Sequence, residues 1–184
     1  MVLLESKQKL QKGIQAPDFS LKGVDGNLYS LDDFEDAKAI LIVFMCNHCP
    51  YVKNKLDIIQ ELQVKYQDEG LVVIGINSND PVQYEEDNFE NMQKVARERD
   101  FNFVYLFDET QEVARAYGAE CTPDPFLFDG ERKLKYHGRI NDALQLDQEA
   151  SSHEMDEDIG KVLNNEEIIE WFKPSIGCSI KWKS

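Results

Sequence analysis

Seven consecutive apolar residues, Ala39 to Met45, lead into a segment where Val52, Leu56, Ile59, Leu62 and Tyr66 recur at helical spacing. The first pattern predicts a central strand covered on both faces, and the second an amphipathic helix. Gly70 ends that helix, and Leu71 to Ile76 is a second apolar run, so the pair predicts a parallel βαβ unit. Upstream, two short extended runs between Phe19 and Leu31 flank Val24-Asp25-Gly26-Asn27, whose Asp-Gly step is a hairpin signal. Downstream, the pattern predicts a helix over 84–99, a strand over 103–107, and a short helix over 110–117 capped by Thr110 and ended by Gly118. Phe126 to Phe128 and Leu134 to Gly138 flank Asp129-Gly130-Glu131-Arg132 as an antiparallel hairpin, with Pro125 at an edge or strand start. A polar loop over 139–158 and a last helix within 158–172 follow. Residues 1–13 are expected to form a flexible or weakly helical arm, 14–172 one domain, and 173–184 an extended tail docked on it.

Composition narrows the class of protein. The chain has 184 residues, enough for one domain with a substantial core. Twenty basic residues against 35 acidic ones give a net charge of −15, which argues against a nucleic-acid surface or an anionic membrane partner. The acidic clusters at 32–36, 85–90 and 154–158 read as solvated faces. No window approaches the roughly 18 apolar residues of a membrane helix. The first dozen residues resemble neither a secretory signal nor a transit peptide. Four cysteines are too few for a disulfide scaffold, and a cytoplasmic setting is expected.

Chemistry enters at the junction of strand and helix, where Cys46-Asn47-His48-Cys49 stands. Unpaired backbone N–H groups and the helix dipole stabilise negative charge at such a place, so a thiol there ionises more easily. Cys46 is the expected nucleophile and Cys49 the resolving thiol, the parts needed for thiol–disulfide exchange. Protonated His48 would depress the Cys46 pKa further; neutral His48 would do little. A rival reading takes Cys46, His48 and Cys49, with Cys121 or Cys178, as zinc or copper(I) ligands, although a single C-x-x-C falls short of a zinc-ribbon pattern. No metal and no cofactor is expected in the favoured reading.

Three segments carry a family resemblance: Cys46-Asn47-His48-Cys49-Pro50, Ala16-Pro17-Asp18-Phe19, and Thr122-Pro123-Asp124-Pro125-Phe126-Leu127-Phe128-Asp129. With them the chain resembles the redoxins of the alkyl hydroperoxide reductase and thiol-specific antioxidant (AhpC/TSA) superfamily. It is most similar to the thioredoxin-like subgroup with a tail of the form Pro-Ser-Ile-Gly-Cys-x-Ile-Lys-Trp. The resemblance implies a thioredoxin fold, an α/β architecture in which helices flank a central mixed sheet. It implies thiol–disulfide oxidoreductase activity on protein or low-molecular-weight disulfides, with thiol-dependent peroxidase as the alternative. Thr122-Pro123 resembles the cis-proline step that faces the motif and offers a backbone edge to an extended substrate. Cys121 would then lie near Cys46 or Cys49, while Cys178 could reach any of the others; passive thiols and auxiliary redox thiols are both open readings for the two.

Departures from the family pattern matter too. If Cys49 were a peroxidatic cysteine, Cys46 would fill the slot of its threonine and Ile42 that of its proline, which weakens the peroxidase reading. Met45 replaces the tryptophan common before the first thioredoxin cysteine. The buried acidic residue of the preceding strand is missing from 39–45, leaving His48 or a carboxylate elsewhere to accept a proton.

Overall fold

The computed structural model describes residues 2–183. The apolar runs read from the sequence form its centre: β4 (Ala39–Phe44) pairs in parallel with β5 (Leu71–Asn77) across the helix α1 (Pro50–Tyr66). Every residue of β4 is buried, and its pleat explains why a continuous run is needed. Ala39, Leu41 and Val43 face α1, while Ile40, Ile42 and Phe44 pack on the opposite side of the sheet.

Before this centre lie β1 (Leu3–Glu5) and the hairpin β2 (Ser20–Gly23) and β3 (Leu28–Ser30). After it come α2 (Phe89–Glu98), β6 (Val104–Phe107), α3 (Glu112–Tyr117), β7 (Cys121–Thr122), and the antiparallel pair β8 (Asp124–Asp129) and β9 (Leu134–Gly138). Then follow α4 (Glu154–Leu163), β10 (Phe172–Lys173) and β11 (Ile176–Ser179). Eight strands form one mixed sheet in the order β10-β9-β8-β4-β5-β6-β2-β3, and a second sheet runs β1-β11-β7. Two apolar cores lie on opposite faces of the large sheet; α1 and α4 cover one, α3 and the segment around Phe19 the other.

Several boundaries differ from the sequence reading for local physical reasons. The amino-terminal arm is not loose throughout, because Leu3–Glu5 pairs with β11. Residues 85–87 form a 3-10 turn, and α2 begins only after Asn88, whose side chain accepts the Asn91 N–H. Gln111, not Thr110, holds the α3 cap position; Thr110 Oγ1 accepts the Glu112 N–H only at 3.4 Å, while the Asp108 carboxylate takes the Ala114 N–H at 2.9 Å. The last helix begins at Glu154 and is over by Asn165, which has φ +57°. Its expected carboxyl end is instead β10, paired in parallel with β9. Pro125 stands second in β8, opposite Val43, and pairing with β9 begins only at Phe126. No helix among the described residues is long and apolar enough to cross a membrane.

Candidate active site

Past the end of β4, the Met45 N–H still bonds to the Ile76 carbonyl, and the chain then turns into α1. Pro50 is the first helical residue, where its missing N–H leaves no bond unmade. The turn places Cys49, not Cys46, at the helix cap, with extended φ and ψ of −68° and 122°. Both cysteines are buried, at 1% and 0% exposure. Cys46 nevertheless borders a cavity of about 310 Å3 between α1 and α2, whose apolar lining includes Met45, Val52, Leu56, Val95 and Phe101. Of the two cysteines, Cys46 is the one that borders it.

The carboxylate absent from β4 is supplied by Asp87, fully buried in the 3-10 turn before α2. Its Oδ1 accepts the backbone N–H groups of Asn47 at 2.8 Å and His48 at 3.3 Å. Its Oδ2 lies 2.5 Å from His48 Nδ1 and accepts from Asn79 Nδ2 at 2.8 Å. Four contacts thus fix one carboxylate under the cysteine turn. His48 Nδ1 is in turn 3.7 Å from Cys46 Sγ, and the ring stacks on Tyr84 with centroids 4.0 Å apart. His48 Nε2 is buried and has no hydrogen-bond partner among the described residues. Sequence reasoning missed Asp87 by reading residues 85–90 as a solvated face. The available signal was the polar run Asn77-Ser78-Asn79-Asp80 leaving β5 on the same rim, because those side chains are buried and need a partner.

Thr122 and Pro123 stand opposite this turn, joined by a cis peptide bond. Thr122 touches both sulfurs: its Oγ1 is 3.4 Å from Cys46 Sγ, and its carbonyl accepts from Cys49 Sγ at 3.2 Å. The expectation of a free backbone edge at Thr122 needs correction. That edge is taken by the chain's own β11, with Cys178 opposite Thr122 and Ser179 opposite Cys121. A strand residue points its N–H and C=O to one side, so no further strand can pair with Thr122 while β11 is in place.

The same register sorts the two remaining cysteines. Directly opposed residues of an antiparallel pair share a face, so Cys178 lies on the Thr122 side, packed with Cys46 and Cys49. Cys121 is on the other face, 3.8 Å from Ser175 Oγ. The thiol expected near the motif is therefore Cys178 and not Cys121. All four cysteines are free.

Charge is shared unevenly among these sulfurs. Burial pushes the Cys46 thiol well up, aided by a hydrogen bond to Cys49 and by the Asp87 charge. Hydrogen bonds from the Cys178 and Cys46 thiols draw Cys49 down against its own burial. A carbonyl cannot donate, so Cys49 makes its contact with Thr122 only while the cluster is fully protonated. When the cluster loses one proton, the charge settles on Cys49, the sulfur to which two other thiols donate. The sequence placed the stabilised thiolate on Cys46; burial and the cap position move it one turn inward. Burial also raises Cys121, and the contact with Cys49 together with burial raises Cys178.

For metal chemistry, the ligand atoms brought together are those of Cys46, His48 and Asp87, all within 4.8 Å of one another. This differs from the set of Cys46, His48 and Cys49 with Cys121 or Cys178. Within that set, His48 Nδ1 and Asp87 Oδ2 are hydrogen-bonded to each other at 2.5 Å.

A mixed sheet whose central strand feeds a cysteine pair into a helix, faced by a cis-proline, is the thioredoxin fold with a dithiol site. The AhpC/TSA family model matches residues 13–137, and the chain belongs to that family. The structure of an uncharacterized conserved protein from Geobacillus kaustophilus superimposes with a TM-score of 0.92 at 44% identity, covering 100% of this chain and 97% of that one. The thiol-disulfide oxidoreductase ResA of Geobacillus thermodenitrificans is 27% identical over 129 residues, 70% of each chain. A Helicobacter pylori protein named as a peroxiredoxin, bcp, is 30% identical over 112 residues, 61% of this chain and 68% of its own.

Proposed function

We propose that this protein is a thiol–disulfide oxidoreductase whose working couple is Cys46–Cys49. The observation that carries the reading is the convergence of both sulfurs on Thr122, at 3.4 and 3.2 Å, with Cys46 alone bordering the cavity. Similarity to ResA proteins supports it. Cys46 attacks a partner disulfide after passing its proton to the His48–Asp87 pair, which leaves positive charge beside the new thiolate. One partner sulfur departs as a thiol, and Cys46 is held in a mixed disulfide. Cys49 then attacks Cys46, forming the Cys46–Cys49 disulfide and releasing the second partner sulfur. Run backwards, the same steps oxidise a partner dithiol. Partners are proteins or small molecules carrying thiols or disulfides, and the sparse cysteine content favours a cytoplasmic setting.

Reduction potentials of wild type, Cys46→Ser and Cys121→Ser in glutathione buffers, with thiols mapped by mass spectrometry, test this. A two-electron couple on Cys46–Cys49 is expected, lost in Cys46→Ser and kept in Cys121→Ser. A value near roughly −270 mV marks a reductant and one near roughly −120 mV an oxidant. Similarity to the protein named as a peroxiredoxin favours peroxidase as the second reading. Rapid oxidation by peroxide with no such couple would put it first.

A further inference from the structure

The dithiol reading above uses two sulfurs, yet the site contains three. Cys178 arrives on β11, the strand that occupies the Thr122 edge, and the strand register sets its side chain on the face where Cys46 and Cys49 lie. The approach is close: a Cβ added to Gly177 would stand 2.0 Å from the Thr122 carbonyl oxygen, so only glycine lets β11 run this near. The strand is held there from both sides. Leu3 of β1 is the opposite partner of Cys178, and beyond β11 the Lys181 N–H bonds to Asn79 Oδ1 at 2.8 Å. Asn79 is also a donor to Asp87, so the tail and the carboxylate beneath the cysteine turn are braced by one side chain. An own strand thus lies where an extended substrate would pair, and it presents a cysteine.

We propose that Cys178 is a third redox thiol of this site, exchanging with the Cys46–Cys49 disulfide to form Cys49–Cys178. The step is an ordinary exchange. The Cys178 sulfur attacks Cys49 Sγ, the Cys49–Cys178 bond forms, and the Cys46–Cys49 bond breaks. The proton that Cys178 gives up ends on Cys46, the departing sulfur. No electrons enter or leave, because both disulfides carry the same oxidation equivalent, supplied by the partner disulfide.

In the reduced protein the hydrogen bond to Cys49, together with burial, keeps Cys178 protonated. Oxidation to Cys46–Cys49 removes that hydrogen bond, and the nearby Lys181 then works against burial in favour of the Cys178 thiolate. The internal step is thereby tied to the oxidised state. Its product leaves Cys46 reduced at the cavity while the disulfide sits inside, clipping β11 to α1. An outside thiol can reach that disulfide only after Cys46 has reopened it.

The inference rests on the dithiol reading, and the experiment separates the two. Wild type, Cys178→Ser and Cys121→Ser are oxidised with glutathione disulfide, quenched in acid, alkylated and digested. Wild type and Cys121→Ser are expected to yield both the Cys46–Cys49 loop and a peptide cross-linked through Cys49–Cys178, with Cys46 alkylated in the latter. Cys178→Ser loses the cross-link and keeps the loop. In a second arm, Cys46→Ser is refolded from denaturant in the same buffers, so that burial does not shield its thiols; it is expected to close Cys49–Cys178. A wild type that forms only the loop, together with a refolded Cys46→Ser that keeps both thiols, overturns the inference and leaves the dithiol reading standing. Absence of any internal disulfide in every variant overturns both.

Discussion

Asp87 does its work through atoms that no local pattern marks. It belongs to an acidic run in which Glu85 and Glu86 stay on the surface, and only the 3-10 turn drives the third side chain inward. The two cysteines and His48 were legible because their type and spacing at a strand end already carry chemistry. Asp87, 40 residues from Asn47 along the chain, was not, because only the fold brings it near. Its Oδ2 holds the His48 ring through Nδ1, and replacing one oxygen by an amide tests what the carboxylate does there. In Asp87→Asn one oxygen can still accept the Asn47 and His48 N–H groups, but the new NH2 faces Asn79 Nδ2, another donor. Burying that mismatch costs about 1–3 kcal/mol. Asp87→Asn also removes a charge that helps hold the Cys46 thiol up, so alkylation of Cys46 near pH 7 is expected to quicken and its pH profile to move downward, a shift that loss of stability alone would not produce. An unmoved pH profile alongside a lowered urea midpoint would leave Asp87 a purely structural group.

At the level of elements, β4, α1 and β5 were readable because each satisfies one period along its whole length. The small second sheet was not. β1, β7 and β11 have two to four residues each, too short for alternation to show, and they exist only because they meet one another. The last helix was displaced for a related reason: Ile168, Trp171 and Phe172 extend the apolar spacing past Asn164 and Asn165, yet they pack as irregular chain and a two-residue strand. The strongest constraint on the tail is steric, at Gly177. In Gly177→Ala the new methyl meets backbone that cannot swing aside, so β11 must lift from β7. A cost of about 1–3 kcal/mol is expected. Amide exchange at Ile180, whose N–H bonds to the Glu120 carbonyl just before β7, should accelerate with it. Gly160→Ala is the comparator. That glycine lies within α4 with only Tyr66 Oη at 3.8 Å, so the same methyl should stabilise by about 0.5–1 kcal/mol and leave Ile180 unchanged. Equal behaviour of the two variants would mean that β11 is not held against Thr122.

Across the whole molecule, burying thiols on both faces of the small sheet couples stability to pH. Cys46, Cys121 and Cys178 are all held above the ordinary thiol range, chiefly by burial for the first two and by Cys49 together with burial for the third. Below about pH 8.5 both the native and the unfolded chain keep these protons, and pH has no effect through them. Above it the unfolded chain releases protons that the native state retains. The unfolded state then binds fewer, and stability falls as pH rises. Cys49 is shifted the other way; its contribution is complete once the unfolded thiol has ionised, so it adds no slope above that pH. Each retained proton is worth about 1.4 kcal/mol per pH unit, so three thiols give the fully reduced protein a steep loss between pH 8.5 and 10. Burial likewise raises Tyr105, Tyr117 and Tyr136, which extends the decline beyond pH 10. Urea midpoints of the reduced protein across this range measure the slope, and Cys121→Ala should make it shallower by about one third. That variant leaves Cys46, Cys49, Cys178 and Asp87 in place. An unaltered slope would show that Cys121 ionises in the native state, and an alkaline limb that is flat in wild type would remove the account of all three thiols at once.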